Sequence, residues 1–332
     1  MQSIKILQIG LGPLGQKTVQ YISERKGMEI VAAVDIDTKK TGKDVGEVCS
    51  LGKELGIKVA PGLEMAMQGV KPDVVLLTTV SSLNSLAGQV EEIARYGLNI
   101  VSTCEELSHP WGTQKELAEK LDGIAKKNNI SILGTGVNPG FLMDFLPIAL
   151  TGVCQKVDRI KISRIQNASF RRIPFQKKIG AGLSPEEFEV KRQQGTLRHV
   201  GLAESIHMIA GRMGWKLDAT EDVLTPIIAP EDTPAGETVI KAGMALGVQQ
   251  IGKGYVKGEE KITLVFRASI GEENPADTVE IKGTPDITST IPGGVNGDVA
   301  TCAIAINAIR SITSVPAGLK TMVDVPVVSY FT

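Results

Sequence analysis

A glycine pattern near the start of the chain places the strongest constraint on its fold. Gly10, Gly12 and Gly15 form a G-x-G-x-x-G pattern that directly follows the apolar run "IKILQIG" and directly precedes a helical pattern. In this setting the glycines permit a tight turn, let the backbone approach a pyrophosphate and allow the helix to pack closely on the strand. Asp35 ends the next apolar run, 20 residues after Gly15, where a carboxylate can accept hydrogen bonds from ribose hydroxyls. The pattern therefore predicts a dinucleotide-binding unit.

The rest of the N-terminal part alternates short apolar runs with helical patterns. Candidate helices lie near 14–26, 84–96 and 113–128, and the remaining strand-like runs are "IVAAVD", "DVVLLTT", "LNIVSTC" and "ISILGTG". Strands that are apolar throughout, rather than at every second residue, are typical of a parallel sheet covered by helices on both faces. We therefore predict an α/β fold whose N-terminal part is a Rossmann-type, doubly wound parallel sheet.

The sequence pattern changes after about residue 137. A strand-like stretch, "DRIKISRIQNASFRR", is followed by two helical patterns and then by β-like runs with glycine punctuation. These features predict a second, α+β domain with a mainly antiparallel sheet. The later stretch "GDVATCAIAINAIRSI" has the small and apolar residues of a buried helix. We predict a dinucleotide-binding domain over 1–137, with 297–332 packing back on it, and a substrate-binding and oligomerisation domain over 138–296.

Charge and cysteine usage argue against several classes of partner. The 332 residues carry a formal net charge of −1, and the lysines and arginines are scattered, so we expect no nucleic-acid partner and no membrane-surface partner. No apolar stretch reaches the roughly 18 to 20 residues that span a bilayer. The four cysteines form no C-x-x-C pair and follow no signal peptide, which favours a cytoplasmic protein. Three histidines without a zinc-binding spacing give no grounds for a metal site.

The carboxyl ends of the predicted strands are where a cofactor would bind, because ligands of open parallel sheets lie beyond those ends. A carboxylate at Asp35 repels a ribose 2′-phosphate, whereas Lys39 and Lys40 could either neutralise that phosphate or be solvated loop residues. We expect NAD to be preferred and NADP to be an accepted alternative. For Thr78 and Thr79, an equal alternative is simply to end a strand and cap a helix. The residues expected to contact the cofactor are Gly10, Gly12, Pro13, Leu14, Gly15, Asp35, Lys39, Thr78, Thr79 and Asn138.

Two adjacent glutamates follow the fourth strand-like run, in "VSTCEELSHPWG". Oxidation of an amine or alcohol needs a group that accepts a proton as hydride leaves, and a partly desolvated carboxylate with a raised pKa can do this near neutral pH. Glu105 and Glu106 are therefore candidate catalytic residues; the alternative is that they are acids favoured at a helix start. The spacing does not choose between them. No serine-nucleophile motif and no phosphate-loop motif is present, so we expect a nicotinamide oxidoreductase.

Several motifs occur in an order that resembles a known family. They cover nearly the whole chain and read "IGLGPLG", "TGKDVGEV", "STCEEL", "GTGVNPGFLMD", "RHVGLAESIHMIA" and "NGDVATCAIAINAI". In these motifs the chain resembles the 2,4-diaminopentanoate dehydrogenases and the related native amine dehydrogenases, whose two-domain layout is similar to that of dihydrodipicolinate reductase. It lacks the His-His and Lys-containing signature of the latter enzymes, which disfavours their activity.

The resemblance implies a reversible, NAD(P)-dependent oxidative deamination. The C4 amine of 2,4-diaminopentanoate would pass hydride to the nicotinamide, and water would convert the imine to 2-amino-4-oxopentanoate and ammonia. The family's catalytic acid maps onto the glutamates of "CEEL", which would deprotonate the substrate ammonium and later activate water. Open alternatives are a dehydrogenase of simple amines or of another diamino acid and, in a different class, a non-catalytic NAD-binding redox sensor.

The resemblance also implies positions that bind the substrate. Arg164 would hold the substrate carboxylate through a bidentate pair, and His199 would add one hydrogen bond or a charge. Asn138 and Phe141 would shape the pocket wall beside the nicotinamide. The structural alternatives are an exposed strand arginine, a histidine at a helix start and an ordinary turn.

The second domain offers two further features. Arg171 and Arg172 form a lower-ranked cationic pair, because neighbouring strand residues point to opposite faces and at least one of them should meet solvent. An extended sheet face of this domain could form the interface of a homodimer, since closed homo-oligomers are common among soluble enzymes. Besides a second copy, the only partner that we expect is a small-molecule amine or diamino acid.

Overall fold

A computed structural model of the chain describes residues 3–169, 171, 173–236 and 238–331. Its internal contacts divide the chain into two units, one formed by Met1–Phe141 with Asn296–Thr332 and the other by Leu142–Val295. The roles that we assign to the two domains stay predictions. Within the described part of the chain, none of the helices has both the length and the apolar character that a membrane crossing requires.

The centre of the first unit is a parallel sheet. Numbered in chain order, its strands are β1 (Ile4–Ile9), β2 (Met28–Val34), β3 (Val59–Ala60), β4 (Val74–Leu77), β5 (Asn99–Ser102), β6 (Ser131–Gly134) and β15 (Gly318–Lys320). The spatial order is β15-β6-β5-β4-β1-β2-β3, and every neighbouring pair is parallel. The strands β2 and β3 are added on one side of β1, and the later strands β4, β5 and β6 are added on its other side, so the strand order changes direction between β1 and β4. Open parallel sheets bind ligands at this point.

Helices cover both faces of this sheet. They are α1 (Pro13–Ser23), α2 (Val45–Val48), α3 (Leu63–Ala66), α4 (Leu83–Ala94), α5 (Lys115–Lys127) and α10 (Gly297–Ile312). On one face, α3, α4 and α5 form a single hydrophobic core with the strands, to which Leu7, Val75, Leu86 and Leu121 belong. Helices α1 and α10 contact each other, and α10 also contacts β4, β5 and β6. A single 3-10 turn, Glu105–Leu107, follows β5.

The second unit combines helices with a mixed sheet. Its helices are α6 (Phe145–Leu150), α7 (Ile173–Lys178), α8 (Pro185–Gln193) and α9 (Leu202–Met213), and a 3-10 turn spans Thr151–Val153. Its strands are β7 (Lys156–Asn167), β8 (Ala219–Ile228), β9 (Thr233–Ala235), β10 (Thr238–Ile240), β11 (Ala245–Val256), β12 (Glu259–Ser269), β13 (Ala276–Thr284) and β14 (Ile287–Pro292). Six strands pair in the order β14-β13-β7-β12-β11-β8, and β9 pairs with β10.

Every pairing in the six-stranded sheet is antiparallel except that of β7 with β12. Helix α9 packs on one face of the sheet, where two glycines of β11 make room for it. A Cβ on Gly252 or Gly254 would lie 3.1 Å or 2.9 Å from Ile206 of α9. Alternate residues along the strands therefore face α9 or point away from it.

The predicted fold class is confirmed: an α/β chain with a parallel first sheet and a mainly antiparallel second sheet. The candidate helices near 14–26, 84–96 and 113–128 are α1, α4 and α5, and the predicted buried helix is α10. The sequence patterns do not indicate β3 and β15. Strands of two or three residues are too short to show a period, and only pairing with a neighbour identifies them.

Candidate active site

The glycine pattern forms the turn between β1 and α1. Gly10 has a φ of +88°, and a Cβ there would lie 2.7 Å from the carbonyl oxygen of Thr78. A Cβ on Gly15 would lie 2.0 Å from the carbonyl oxygen of Gly10, so only glycine lets α1 approach β1 this closely. At Gly12, by contrast, nothing lies within 4 Å of the position that a Cβ would take. The turn is thus closed towards the sheet and open at its tip.

The first turn of α1 is suited to an anion. Gly12 is the N-cap and offers no side-chain acceptor, and no acid occupies the first turn. Pro13 follows as the first helical residue and has no N–H group. The next two N–H groups, those of Leu14 and Gly15, lie in the first turn, where an α-helix offers them no carbonyl acceptor of its own, and they point out of its positive end. This end would therefore suit a pyrophosphate, and the predicted cofactor contacts of these residues stay predictions.

A buried glutamine in β1 stabilises the glycine turn through hydrogen bonds. Gln8 in β1 is fully buried, and its side-chain Nε2 donates to the carbonyl oxygen of Gly10 at 2.9 Å and to Oγ1 of Thr78 at 2.8 Å. The Thr78 hydroxyl in turn donates to the carbonyl oxygen of Gly10 at 2.9 Å. Thr78 therefore ties the end of β4 to the turn, which is a structural role. The exposed Thr79 instead donates from Oγ1 to the Gln89 side chain.

Asp35 lies at the end of β2 and is 8% exposed. Its carboxylate accepts the N–H of Leu11 at 2.7 Å and the N–H of Asp37 at 2.8 Å, and Nζ of Lys40 lies 3.0 Å from Oδ2. Burial acts to raise the pKa of Asp35, but these hydrogen bonds and the ammonium charge hold it below the usual value. The group is therefore an anion at neutral pH. The lysine beside it is Lys40, whereas the predicted Lys39 is exposed.

A cavity of about 470 Å³ joins these features on the first unit. Its wall includes Gly10, Gly12, Asp35, Lys40, Thr78 and Thr79, together with the apolar side chains of Ile36, Leu63 and Val80. Ile36 is 88% exposed, which is unusual for an isoleucine next to a buried carboxylate. An apolar side chain at the rim suits a flat adenine ring. The cavity has the polarity and the size class of a nucleotide site.

The two adjacent glutamates differ in their surroundings. Oε2 of Glu106 accepts the N–H of Leu83, the first residue of α4, at 2.8 Å and the side-chain amide of Gln114 at 2.8 Å. Within the described residues, the carboxylate of the half-buried Glu105 accepts no hydrogen bond. Glu106 is therefore held in place, while Glu105 has its acceptor capacity free.

The segment after β6 makes a tight turn in which Gly140 packs against Gly136. Asn138 is buried and is joined to Pro139 by a cis peptide bond, and Phe141 is half-buried. Gly140 has a φ of +122°, and a Cβ there would lie 2.5 Å from the backbone nitrogen of Gly136. Only glycine fits this position. The roles predicted for Asn138 and Phe141 stay predictions.

Arg164 lies inside the second unit in a buried ion pair. It is 2% exposed, and its Nη1 lies 3.0 Å and 3.1 Å from the two carboxylate oxygens of Asp277, the residue opposite it on β13. Its Nη2 donates to the carbonyl oxygen of Val295 at 2.9 Å. A substrate carboxylate that displaced Asp277 from this guanidinium would leave a buried carboxylate without its counter-charge. Arg164 is therefore neither the exposed strand residue nor the free carboxylate ligand that the sequence suggested.

His199 packs against the row of the sheet that contains Arg164. Its ring stacks on Phe266 with the centroids 4.5 Å apart, and Phe266 pairs with Arg164 between β12 and β7. The backbone N–H of His199 donates to the side chain of Gln250 at 2.7 Å, and Gln250 in turn donates to Asp222. The structure thus places the two predicted substrate residues on one face of the sheet. Arg171 stacks over Phe175, and its predicted partner Arg172 lies outside the described residues.

The two parts of the chain match different families. Residues 4–131 match the N-terminal domain of dihydrodipicolinate reductase, and residues 141–332 match the C-terminal domain of 2,4-diaminopentanoate dehydrogenase. The whole chain is 35% identical over 334 residues to the 2,4-diaminopentanoate dehydrogenase of Acetoanaerobium sticklandii, an alignment that covers 98% of this chain and 94% of that protein. The chain belongs to the 2,4-diaminopentanoate dehydrogenase family.

Amine dehydrogenases are more distant relatives of this family member. The amine dehydrogenase of Streptomyces virginiae is 21% identical over 96% of this chain and 94% of that protein. The solved structure of an amine dehydrogenase from Mycobacterium smegmatis has the same fold, with a TM-score of 0.85 at 21% identity over 99% of this chain and 97% of that chain. The family resemblance read from the sequence is confirmed.

Two residues of this family member escaped the sequence analysis. Gln8 supports the glycine turn, and a polar residue within the otherwise apolar "IKILQIG" was the available signal. Asp277 neutralises Arg164 from a strand 113 residues away, and only the register of the sheet could have revealed that pair. Among the described residues, no cluster of three or more His, Cys, Asp or Glu side chains is arranged to hold a metal ion.

Two glycine variants should separate the packing of the turn from its open side. In Gly15→Ala the methyl group would meet the Gly10 carbonyl oxygen, a backbone atom that cannot rotate away, so we expect a loss of about 1–3 kcal/mol in the free energy of unfolding. Gly12→Ala should change stability by less than about 0.5 kcal/mol but weaken NAD binding, because its methyl group would enter the open space. Urea denaturation and calorimetric titration measure the two effects. Equal stability of both variants would contradict this account.

Arg164→Met should destabilise the second unit because Asp277 would stay buried without its counter-charge. Breaking such a pair costs about 3–5 kcal/mol of unfolding free energy. A matched control on the same strand is Lys161→Met, whose ion pair with Glu280 is 43% exposed on both sides and is worth at most about 1 kcal/mol. Urea denaturation in a Trp111→Phe background, where Trp215 alone reports, would measure both. Wild-type stability of Arg164→Met would show that the pair is dispensable.

Proposed function

We propose that this chain is an NAD(P)-dependent 2,4-diaminopentanoate dehydrogenase. It oxidises the C4 amine of 2,4-diaminopentanoate and, with water, yields 2-amino-4-oxopentanoate, ammonia, NAD(P)H and a proton; the reverse reaction is a reductive amination. Membership of the family supports the substrate. The observation that carries the chemistry is a dinucleotide-sized cavity at the ends of β1, β2 and β4, together with Glu105, which follows β5 of the same sheet. The carboxylate of Glu105 accepts no hydrogen bond among the described residues.

The residues of the cradle fit a nicotinamide dinucleotide. The open tip at Gly12 and the free N–H groups at the start of α1 would receive the pyrophosphate, with Pro13, Leu14 and Gly15 shaping that end. Asp35 would accept the adenosine ribose hydroxyls, and its negative charge supports NAD as the preferred form. Thr79 would line the cavity towards the nicotinamide, beyond the end of β4. A bound nicotinamide supplies the hydride acceptor.

We assign the proton transfers to Glu105. At neutral pH the C4 amine of the substrate is an ammonium, and only the neutral amine has the lone pair that can expel hydride. Glu105 takes that proton and releases it to solvent, and after hydride has left it takes a proton from the water that attacks the imine and passes it to the departing amine. Glu106 positions the turn by accepting hydrogen bonds from the start of α4 and from Gln114. Because those bonds occupy Glu106, it is the weaker candidate for a base.

The substrate carboxylate needs a cation other than Arg164. Arg171 is a half-buried arginine of the second unit and is the next candidate, with His199 as a hydrogen-bond donor. The internal pair of Arg164 with Asp277 also favours a second function, a dehydrogenase of simple amines, because that activity needs no carboxylate ligand. Asn138 and Phe141 would shape the pocket in either case. The remaining alternative, a non-catalytic redox sensor, needs no base, so the unpaired carboxylate of Glu105 does not support it.

The assay that tests this function measures initial rates of NAD reduction. We expect 2,4-diaminopentanoate to be oxidised with a kcat/KM about tenfold or more above that of a simple 2-aminoalkane, because a carboxylate contact in the transition state is worth about 1.5–3 kcal/mol. In the same assay Glu105→Gln should lower kcat by about 10²–10⁴-fold, the usual contribution of a general base.

Glu106→Gln is the matched control for the mechanism. It should lower kcat by less than about tenfold, because glutamine keeps an oxygen acceptor for the Leu83 N–H and loses only a charge. A severe effect of Glu106→Gln with a mild effect of Glu105→Gln would reverse the two roles. A preference for the simple aminoalkane would move the conclusion to an amine dehydrogenase, and binding of NAD without turnover on any amine would favour the sensor.

We propose that the protein is a homodimer formed through the sheet of the second unit. Val223, Ile251 and Val265 pair with one another across β8, β11 and β12 and lie on the face that points away from α9. Val223 is 51% exposed, and the other two are partly exposed. A row of β-branched side chains on one face of a sheet is suited to packing against a second copy of itself.

Light scattering should therefore give about twice the chain mass of 35.3 kDa. Replacing Val223 and Val265 together by Glu should give the mass of one chain, because buried like charges would face each other across the interface. The control is Val327→Glu, which places the same charge on a valine that is 76% exposed in the first unit. A monomeric wild-type protein, or loss of the dimer in the control alone, would exclude this interface.

A further inference from the structure

One buried side chain holds the backbone of His199, which lies in the loop between α8 and α9. Gln250 of β11 is fully buried, and its amide bonds both backbone groups of His199. Oε1 accepts the N–H at 2.7 Å, and Nε2 donates to the carbonyl oxygen at 3.3 Å. A neighbouring β-strand would hold a residue through the same two groups. The amide of Gln250 therefore gives this loop a fixed point on the sheet.

An acid on the adjacent strand fixes the orientation of that amide. Nε2 of Gln250 donates to Oδ1 and Oδ2 of Asp222 in β8, at 2.8 Å and 2.9 Å. A carboxylate accepts hydrogen bonds and donates none, so the nitrogen of the amide faces Asp222 and the oxygen faces the backbone N–H of His199. An amide turned by 180° would bring its oxygen against the carboxylate. Asp222 therefore determines which end of the amide meets the N–H of His199.

The imidazole ring of His199 is fixed at the same time. It stacks on Phe266 with the centroids 4.5 Å apart and the planes at 17°. Phe266 pairs directly with Gln250 between β12 and β11, so the two side chains that hold His199 are neighbours on one face of the sheet. Stacking uses the face of an imidazole, whereas hydrogen bonding uses the nitrogen atoms at its edge. The ring is thus oriented by a contact that does not involve its nitrogens.

We propose that Gln250 and Asp222 are positioning residues that hold His199 in the orientation in which its imidazole binds the carboxylate of the substrate. This inference deepens the proposed function and rests on it, because it requires a substrate that carries a carboxylate. A side chain that is held before the substrate arrives loses little conformational freedom on binding, which strengthens the contact. Both residues act through His199 and touch no reacting atom. They determine the preference for an amino acid over a simple amine and leave the rate of hydride transfer unchanged.

Steady-state kinetics on two amines measure that preference. In Gln250→Leu we expect the KM for 2,4-diaminopentanoate to rise about 10- to 100-fold, the loss expected for one hydrogen bond to a charged group. The KM for a simple 2-aminoalkane and both kcat values should change by less than about threefold, because only binding of the carboxylate uses the lost contact. Gln249→Leu is the matched control. It removes the same amide from the next residue, whose half-buried side chain points to the opposite face of the sheet, and it should leave both KM values unchanged.

Two double variants separate positioning from a general loss of structure. In a His199→Ala background, Gln250→Leu should raise the KM no further, because the amide acts only through this histidine. Gln250→Glu alone places two carboxylates against each other and should raise the KM as Gln250→Leu does. Combined with Asp222→Asn, it should restore the KM to within about threefold of the wild-type value, since the new carboxylate accepts both the His199 N–H and the new amide at position 222.

The NMR signals of the imidazole report the position of His199 without any turnover. The chain has three histidines, and the signals of His199 are identified by their loss in His199→Ala. Stacking on Phe266 exposes these signals to the ring current of the phenyl group. Gln250→Leu should therefore move them towards the positions of an unstacked histidine, while the signals of His109 and His207 stay in place.

The proposal is overturned if Gln250→Leu leaves the His199 signals in place, raises the KM of both amines equally, or raises it as much without His199 as with it. If Gln250→Leu moves the signals of all three histidines, the exchanged pair of Gln250→Glu with Asp222→Asn decides. Recovery of the KM and of the His199 signals supports the proposal, and a lack of recovery overturns it. A wild-type protein that oxidises no 2,4-diaminopentanoate would instead contradict the proposed function, and the imidazole signals would still show whether Gln250 positions His199.

Discussion

The dinucleotide site depends on the contact between the start of α1 and the end of β1. The Gly10 carbonyl oxygen occupies the space that any side chain at residue 15 would need, so the helix can lie against the turn only because Gly15 has no side chain. The same carbonyl oxygen accepts hydrogen bonds from Gln8 and Thr78, which come from two neighbouring strands. One backbone atom thus fixes the helix, the turn and the strand ends relative to one another, and the anion-binding end of α1 follows from that arrangement.

Glu105 and Glu106 have identical side chains but different hydrogen-bonding surroundings. Both follow β5 within one 3-10 turn. The start of α4 and the amide of Gln114 hold the carboxylate of Glu106. A carboxylate in that position stabilises the positive end of a helix. The neighbouring carboxylate is left with unused lone pairs, and a base needs those to take a proton. No spacing rule could separate the two residues, since the distinction is made by partners of Glu106 that lie 23 positions upstream and 8 positions downstream.

The features predicted well from the sequence are those set by short-range patterns. The strand and helix periods gave the two sheets, and the spacing of Gly10, Gly12 and Gly15 located the turn because each glycine answers a local steric demand. The pairing of Arg164 could not be predicted from such short-range patterns. Its partner, Asp277, is opposite it only because β7 pairs with β13 in one particular register. Lys40 and Lys39 are likewise adjacent in sequence, and one turn of the backbone gives them different surroundings.

Asp35 takes part in the glycine turn and also lines the cavity. Its Oδ2 accepts the N–H of Leu11, a fully buried residue inside the glycine turn, so the carboxylate closes the turn as well as lining the cavity. Removing it would leave that buried N–H without a partner, which is more costly than the loss of an exposed hydrogen bond. A change in cofactor selectivity through Asp35 would therefore disturb the whole cradle. The half-buried Lys40 carries no such structural load, since its ammonium meets only carboxylates at the surface of the cavity. The charge of Lys40 and the hydrogen bond that builds the turn are therefore separate, so removing the lysine would change the charge of the cavity and leave the turn intact, because the Leu11 N–H keeps its acceptor.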